Sequence, residues 1–205
     1  TYCSQRNINN HMGYGWYFKW EMQLKKLENN NILVIDSTRA RKDEYIYQYG
    51  NGEYKSPDGI YHKLVKNHDG TYTLIKKHGT HYNFNINGKL VSVVDRNDNK
   101  LLFTYDPGGL FPILGTSPFL IEDNLTPLII AYDYRLTAIT DSIGNTVTFN
   151  YNNNGRIAEI VDFTGRIVKY AYDIYDNLIA VTSPGTEQFP EGPIIKYAYD
   201  DRHNL

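Results

Sequence analysis

The chain has 205 residues, of which 41% are hydrophobic and 21% charged, with a formal net charge of −2. This balance is that of a soluble globular protein and excludes a disordered chain, a collagen-like chain and a field that would draw nucleic acid. The longest apolar run, near Leu128–Tyr132, falls far short of the ~20 residues of a membrane helix, and the single cysteine, Cys3, excludes an internal disulfide scaffold.

Nineteen tyrosines stand against two methionines, and asparagine clusters at Asn29–Asn31 and Asn152–Asn154. Tyrosine favours strands, while asparagine and glycine favour the turns between them. The expected class is all-β: tandem antiparallel β-hairpins forming a curved, spiralling sheet. The ends have no initiator Met and no signal peptide, and we expect a piece of a longer polypeptide.

Residues 1–69 read as an N-terminal β region leading into repeats. Tyr14, Trp16, Phe18 and Trp20 alternate there, which predicts a core strand with one apolar face. The other reading of the same residues is an exposed row that stacks on sugar rings. Cys3 lies near His11 in sequence, but nothing orders the two as nucleophile and base.

Residues 70–205 read as the repeat strip. A degenerate first copy runs from Thr71 to Ile86, with Gly79 at its turn. Further units open at Leu90, Leu110, Leu136, Ile157 and Leu178; the units at Leu136 and Ile157 are offset by 21 residues. The first strand of a unit carries apolar residues at its start and three positions on: Leu90/Val93, Leu136/Ile139, Ile157/Ile160, Leu178/Val181. A polar turn follows, with Gly144 and Gly165 as landmarks. The second strand alternates: Leu101/Phe103/Tyr105, Val147/Phe149/Tyr151, Val168/Tyr170/Tyr172, Ile195/Tyr197/Tyr199. Period two places these on one face, with Thr104, Thr148, Lys169 and Lys196 on the other. The units close on Tyr105-Asp106, Tyr132-Asp133, Tyr151-Asn152, Tyr172-Asp173 and Tyr199-Asp200, where the Asx residue starts the next turn. A lone hairpin is marginal in water, so units of this kind stabilise one another. Two insertions interrupt the frame, Phe111–Pro127 and Gln188–Pro193.

The pattern Gly-Arg-Ile-x-x-Ile-x-Asp-x-x-Gly-x-x-Val-x-Tyr-x-Tyr-Asp from Gly155 to Asp173 resembles the YD repeat of Rhs proteins, wall-associated proteins and teneurins. Asn87–Lys100 is similar to the first repeats of bacterial Rhs proteins, with Asp98 in place of their glycine. Tyr14-Gly15-Trp16 and Ser56–Tyr61 resemble the region before those repeats. The resemblance implies a strip of hairpins that forms a hollow shell around a C-terminal toxin. It implies a secreted or cell-surface location. The self-cleaving aspartate site of the family has no counterpart in these residues.

Candidate chemistry is sparse. Asp95-Arg96-Asn97-Asp98-Asn99 has the start of a calcium loop, but Lys100 stands where that loop needs glycine and Asp106 where it needs glutamate; a hairpin turn is the expected reading. His78 and His81, with His62 and His68 nearby, lack a recognisable fourth ligand and read as a polar turn. Asn124-Leu125-Thr126 is a formal glycosylation sequon followed by Pro127. No nucleophile elbow, phosphate loop or dinucleotide fingerprint occurs. We therefore expect no catalytic residue, metal ligand or cofactor. The expected partners are the remainder of its own chain or further copies of itself, a toxin cargo and a glycan, with no nucleic acid and no membrane insertion. The alternative to a shell segment is an extracellular adhesive or self-assembling module acting through strand edges.

Overall fold

The computed structural model describes residue 2 and residues 9–37, 41–106 and 135–205. Several expectations lie outside those residues: Cys3, the strands of the Leu110 unit with Tyr132 and Asp133, the Phe111–Pro127 insertion and the sequon at Asn124.

The described residues are all β. A short hairpin, β1 (Asn9–Asn10) and β2 (Gly13–Tyr14), comes first. A four-stranded sheet follows, of β3 (Gln23–Lys26), β4 (Ile32–Ile35), β5 (Lys42–Gln48) and β6 (Glu53–Lys55). Then comes an eleven-stranded sheet in chain order. Its strands are β7 (Lys63–Lys66), β8 (Tyr72–Ile75), β9 (His81–Phe84), β10 (Leu90–Val94), β11 (Lys100–Asp106), β12 (Arg135–Thr140), β13 (Thr146–Tyr151), β14 (Ile157–Val161), β15 (Ile167–Tyr172), β16 (Leu178–Thr182) and β17 (Ile194–Lys196). Every pairing is antiparallel between neighbours in sequence, so the long sheet is a pure meander with β7 and β17 at its edges. It begins at Lys63, upstream of the division at 69/70.

β11 and β12 are direct neighbours, with Phe103 opposite Ile139 and Tyr105 opposite Leu136. Tyr105 and Leu136 flank one connection as Tyr151 and Ile157, or Tyr172 and Leu178, flank theirs. β11 pairs with β10 on one side and β12 on the other.

The first core joins the two sheets. Leu24, Ile32, Val34, Tyr45 and Tyr54 pack with Leu64, Leu74, Phe84, Leu90 and Phe103. β3 also meets the β9–β10 turn, where Leu24 N–H donates to the Gly88 carbonyl at 2.8 Å. Gly88 is glycine for two reasons: its φ is +76°, and a Cβ would sit 2.1 Å from the Leu24 carbonyl oxygen. A second core, of Met12, Phe149 and Ile157, lies further along the strip.

Candidate functional site: the aromatic face and its strap

The unit-opening strands explain why apolar residues recur at three rather than two. Each carries a β-bulge just after its first residue: Phe84 faces Leu90 while Asn83 faces Ser92, and Tyr151 faces Ile157 while Asn150 faces Glu159. The same shift occurs after Leu136 and after Leu178. A bulge puts two residues opposite one and resets the alternation. Leu90 and Val93 therefore both face inward, as do Ile157 and Ile160 against the same core.

The closing tyrosine of each unit is tied to this bulge. Tyr105 Oη donates to the Leu90 carbonyl at 2.9 Å, Tyr151 to Leu136 at 2.8 Å, Tyr172 to Ile157 at 2.8 Å and Tyr199 to Leu178 at 2.7 Å. The ring fills the inner face while its hydroxyl satisfies a carbonyl at the disturbed ladder, which phenylalanine cannot do. Burial pushes the Tyr105 and Tyr172 phenols well above the ordinary tyrosine range.

The Asx residue after the tyrosine works on the backbone. Asp173 Oδ1 accepts the N–H of Tyr175 and of Asn177, both at 2.9 Å, and its Oδ2 accepts from Asn177 Nδ2. Asp200 holds Arg202 and Asn204 in the same way. So do Asn85, Asp95, Asp141, Asn152 and Asp162 in their turns. The fourth residue of each of these turns takes positive φ, as Gly144 does at +91°, Gly165 at +84° and Asp176 at +64°. This is a type I turn followed by a left-handed residue. The hydrogen bonds hold the carboxyls below the usual aspartate value, led at Asp95 by Asn99, at Asp200 by Asn204 and at Asp162 by Thr164. At Asp141 and Asp173 burial is the largest single influence and pushes upward, but the turn's donors together outweigh it.

The Tyr14–Trp20 segment corrects the expectation of a core strand. Its side chains do alternate toward a core, but beyond Tyr14 it is not a regular strand. It is a strap laid across the aromatic face. Tyr14 stacks on His203 at 3.9 Å, Trp16 meets Tyr197 at 4.9 Å, Phe18 meets Phe149 at 5.3 Å and Trp20 meets Phe103 at 5.5 Å. As the strap advances, it meets the strip in reverse order. Trp16 Nε1 donates to Tyr199 Oη at 2.7 Å, joining the strap to the Tyr199–Leu178 bond.

Arg156 anchors the strap's start. Its side chain is 10% exposed; Nη1 donates to the Asn10 carbonyl and Nη2 pairs with Asp176 Oδ2 at 3.1 Å. Ile157 N–H donates to the His11 carbonyl at 2.8 Å. Sequence reading placed Arg156 only in the Gly-Arg-Ile signature and missed this role, because its partner lies 146 residues away. The cavity left between strap and sheet, lined by His11, Trp20, Glu21, Tyr105 and Tyr151, is about 50 Å³. That is room for a few water molecules.

The other singled-out residues sit in turns and strands. Asp95, Asn97 and Asn99 form the β10–β11 turn, bonded as the Asp141 turn is. Asp106 ends β11 opposite Arg135. His78 lies in the β8–β9 turn, His81 opens β9, and His62 Nδ1 is 3.4 Å from Lys76 Nζ. No group of three or more His, Cys, Asp or Glu among the described residues is arranged to hold a metal ion.

Two overlapping stretches, residues 135–167 and 151–188, match the family model described as RHS Repeat. They span β12 to β16, the part of the strip where bulge, tyrosine and turn recur most regularly. No curated protein matches the chain.

Proposed function

We infer that this chain, an Rhs/YD-repeat protein by residues 135–188, is a structural segment of a secreted or exported polypeptide whose strip encloses a C-terminal toxin or effector domain. The observation that carries the reading is the regularity of the strip. Four tyrosine-to-bulge bonds repeat from Tyr105 to Tyr199, and the Asp200–Asn204 turn is built as the Asp173–Asn177 turn is. Such a unit extends by adding copies, each burying the face of its neighbour. The repeated interactions hold backbone and core, which suits a container rather than a catalyst.

The test is to read the coding sequence past the codon for Leu205 and to digest the encoded protein with protease. Further Tyr-Asp units, and a dissimilar C-terminal domain that resists digestion until the strip is cut, support enclosure. A stop close to Leu205 overturns it.

A second reading has its own observation. β17 is an edge strand, and Ile194 and Ile195 on it are 53% and 55% exposed. An apolar edge of this kind pairs with another strand, so copy-to-copy assembly is the alternative. Concentration-dependent oligomers that vanish in an Ile194→Lys variant support it.

A further inference from the structure

The β8–β9 turn, Lys76–Thr80, has the backbone of its neighbours but not their side chain. Lys76 N–H donates to the Thr80 carbonyl at 2.8 Å and Gly79 N–H to the Lys76 carbonyl at 2.9 Å, as Asp141 and Gly144 do in their turn. Gly79 has the same positive φ, +85°. Yet the first position, occupied by Asp or Asn in the seven clasped turns described above, is here Lys76. In the Asn67–Thr71 turn Asp69 takes over, accepting Thr71 N–H at 3.0 Å. At the third position of the β8–β9 turn stands His78. Among the described residues, no side-chain carboxylate or amide accepts the N–H groups of His78 and Thr80.

The surroundings are cationic. The turn borders an open cleft of about 420 Å³ lined by Arg41, Tyr61, His62, Lys76, Lys77 and Tyr82, among others. Lys76 is half-buried, with its ammonium 5.3 Å from the Tyr82 ring centroid and 3.4 Å from His62 Nδ1. Lys77 Nζ lies 5.2 Å from the ring of Tyr61, which is 76% exposed. The carboxylates felt at Lys76 are Asp43 and Asp36; Asp43 is engaged by Arg41 at 2.9 Å, and Asp36 accepts the Arg41 backbone N–H. Burial, then the charges of Lys76 and Arg41, hold the His62 imidazole below its usual value, and burial followed by Arg41 lowers the Lys76 ammonium. Positive charge is crowded here, and two backbone donors lie where the sister turns supply an oxygen.

We propose that the β8–β9 turn and its cleft bind an oxyanion, a phosphate, sulfate or carboxylate group, through the N–H groups of His78 and Thr80 and the ammonium groups of Lys76 and Lys77. One anion oxygen takes the role that Asp141 Oδ1 plays for Ile143 and Asn145. The flanking cations make the hydrogen bonds charge-assisted. The exposed face of Tyr61 offers a surface for a sugar ring that carries the anion. The proposal is independent of the enclosure reading.

The test is a nuclear magnetic resonance titration of the isotope-labelled 205-residue chain at pH 7 and fixed ionic strength, with inorganic phosphate and with glucose 6-phosphate. Saturable shifts of the His78 and Thr80 amides, at concentrations on the order of millimolar, are expected, with the Ile143 and Asn145 amides unmoved. Lys76→Asp supplies the turn with its own carboxylate and is expected to weaken binding at least about tenfold through lost and reversed charge. Lys77→Ala keeps the turn intact and is expected to weaken binding several-fold. Tighter binding of glucose 6-phosphate that is lost in Tyr61→Ala assigns the anion to a sugar; equal binding assigns recognition to the oxyanion alone. Absence of saturable shifts, or binding unchanged in both lysine variants, overturns the proposal.

Discussion

The Tyr172 hydroxyl reaches back across the β14–β15 hairpin to the Ile157 carbonyl, 2.8 Å away, and so joins the last aromatic of a unit to its first residue. Tyr45 is the counterexample: fully buried, with a hydroxyl that meets no hydrogen-bond partner among the described residues. Removing the two hydroxyls therefore has opposite consequences. Tyr172→Phe leaves a carbonyl unpaired and is expected to cost about 1–3 kcal/mol in urea unfolding, whereas Tyr45→Phe is expected to be neutral or stabilising. Equal losses in the two variants would contradict this assignment.

Acid should loosen the turns before the cores. Asp95, Asp141, Asp162, Asp173 and Asp200 all have carboxyls held below the ordinary value. A depressed folded-state pKa contributes stability that is present above the unfolded value, about 3.9 for aspartate, and is lost as pH falls toward the folded value. The melting temperature is expected to hold between about pH 5 and 7 and to fall below about pH 4. A flat profile down to pH 2 would refute it.

Base should act on the tyrosines. Burial raises the Tyr45 phenol to about 12, and Tyr105 and Tyr172 higher still. A raised value contributes stability that is present below the unfolded value of about 10 and is lost as pH climbs through the folded value. Ultraviolet titration is the measurement that follows their ionisation. The buried set should ionise only with unfolding; a single transition near pH 10 would contradict that.

Arg156→Met removes the charge that holds the Asn10 carbonyl and Asp176 while keeping most of the apolar stem. The expected result is release of the strap at a cost of about 1–3 kcal/mol, with chymotrypsin cutting at Tyr14, Trp16, Phe18 or Trp20 much faster than in the parent chain. Cleavage at the parent rate would show that the aromatic contacts suffice alone.

At Gly88 even a methyl group is too much. Alanine would place its Cβ 2.1 Å from the Leu24 carbonyl and force a positive φ on an L side chain. The φ penalty alone is about 1 kcal/mol, and parting β3 from the β9–β10 turn adds to it. Gly144→Ala, with open space around its Cβ, is the control that carries the φ penalty only. Equal destabilisation of the two variants would refute the seam.

These residues also show what could be read beforehand. The hairpin frame was legible because Asp, Gly and Tyr recur at fixed offsets and each has a local job. The three-residue spacing of Ile157 and Ile160 was visible, but the bulge beneath it was not, since spacing does not reveal which residue loses its partner. The Tyr14–Trp20 alternation was legible as a buried face and misread as a strand: period two describes any extended segment, hydrogen-bonded or not. Its partners, from Phe103 to His203, were beyond any local pattern. His78 and His81 were legible as a polar turn, but nothing local marks Lys76, whose departure shows only against neighbouring turns held by an Asx oxygen.

The reverse order of the strap's contacts has a consequence for biosynthesis. Trp16 bonds to Tyr199, 183 residues later in the chain. A ribosome delivers the strap before the strands it docks on, and hairpins that close locally form well before so distant a contact. The opening residues must therefore wait, aromatic and unpartnered, while the strip is built strand by strand. Their seating depends on the register of strands far along the strip: a chain misregistered before β17 leaves Trp16 without the Tyr197 ring and the Tyr199 hydroxyl that it docks on.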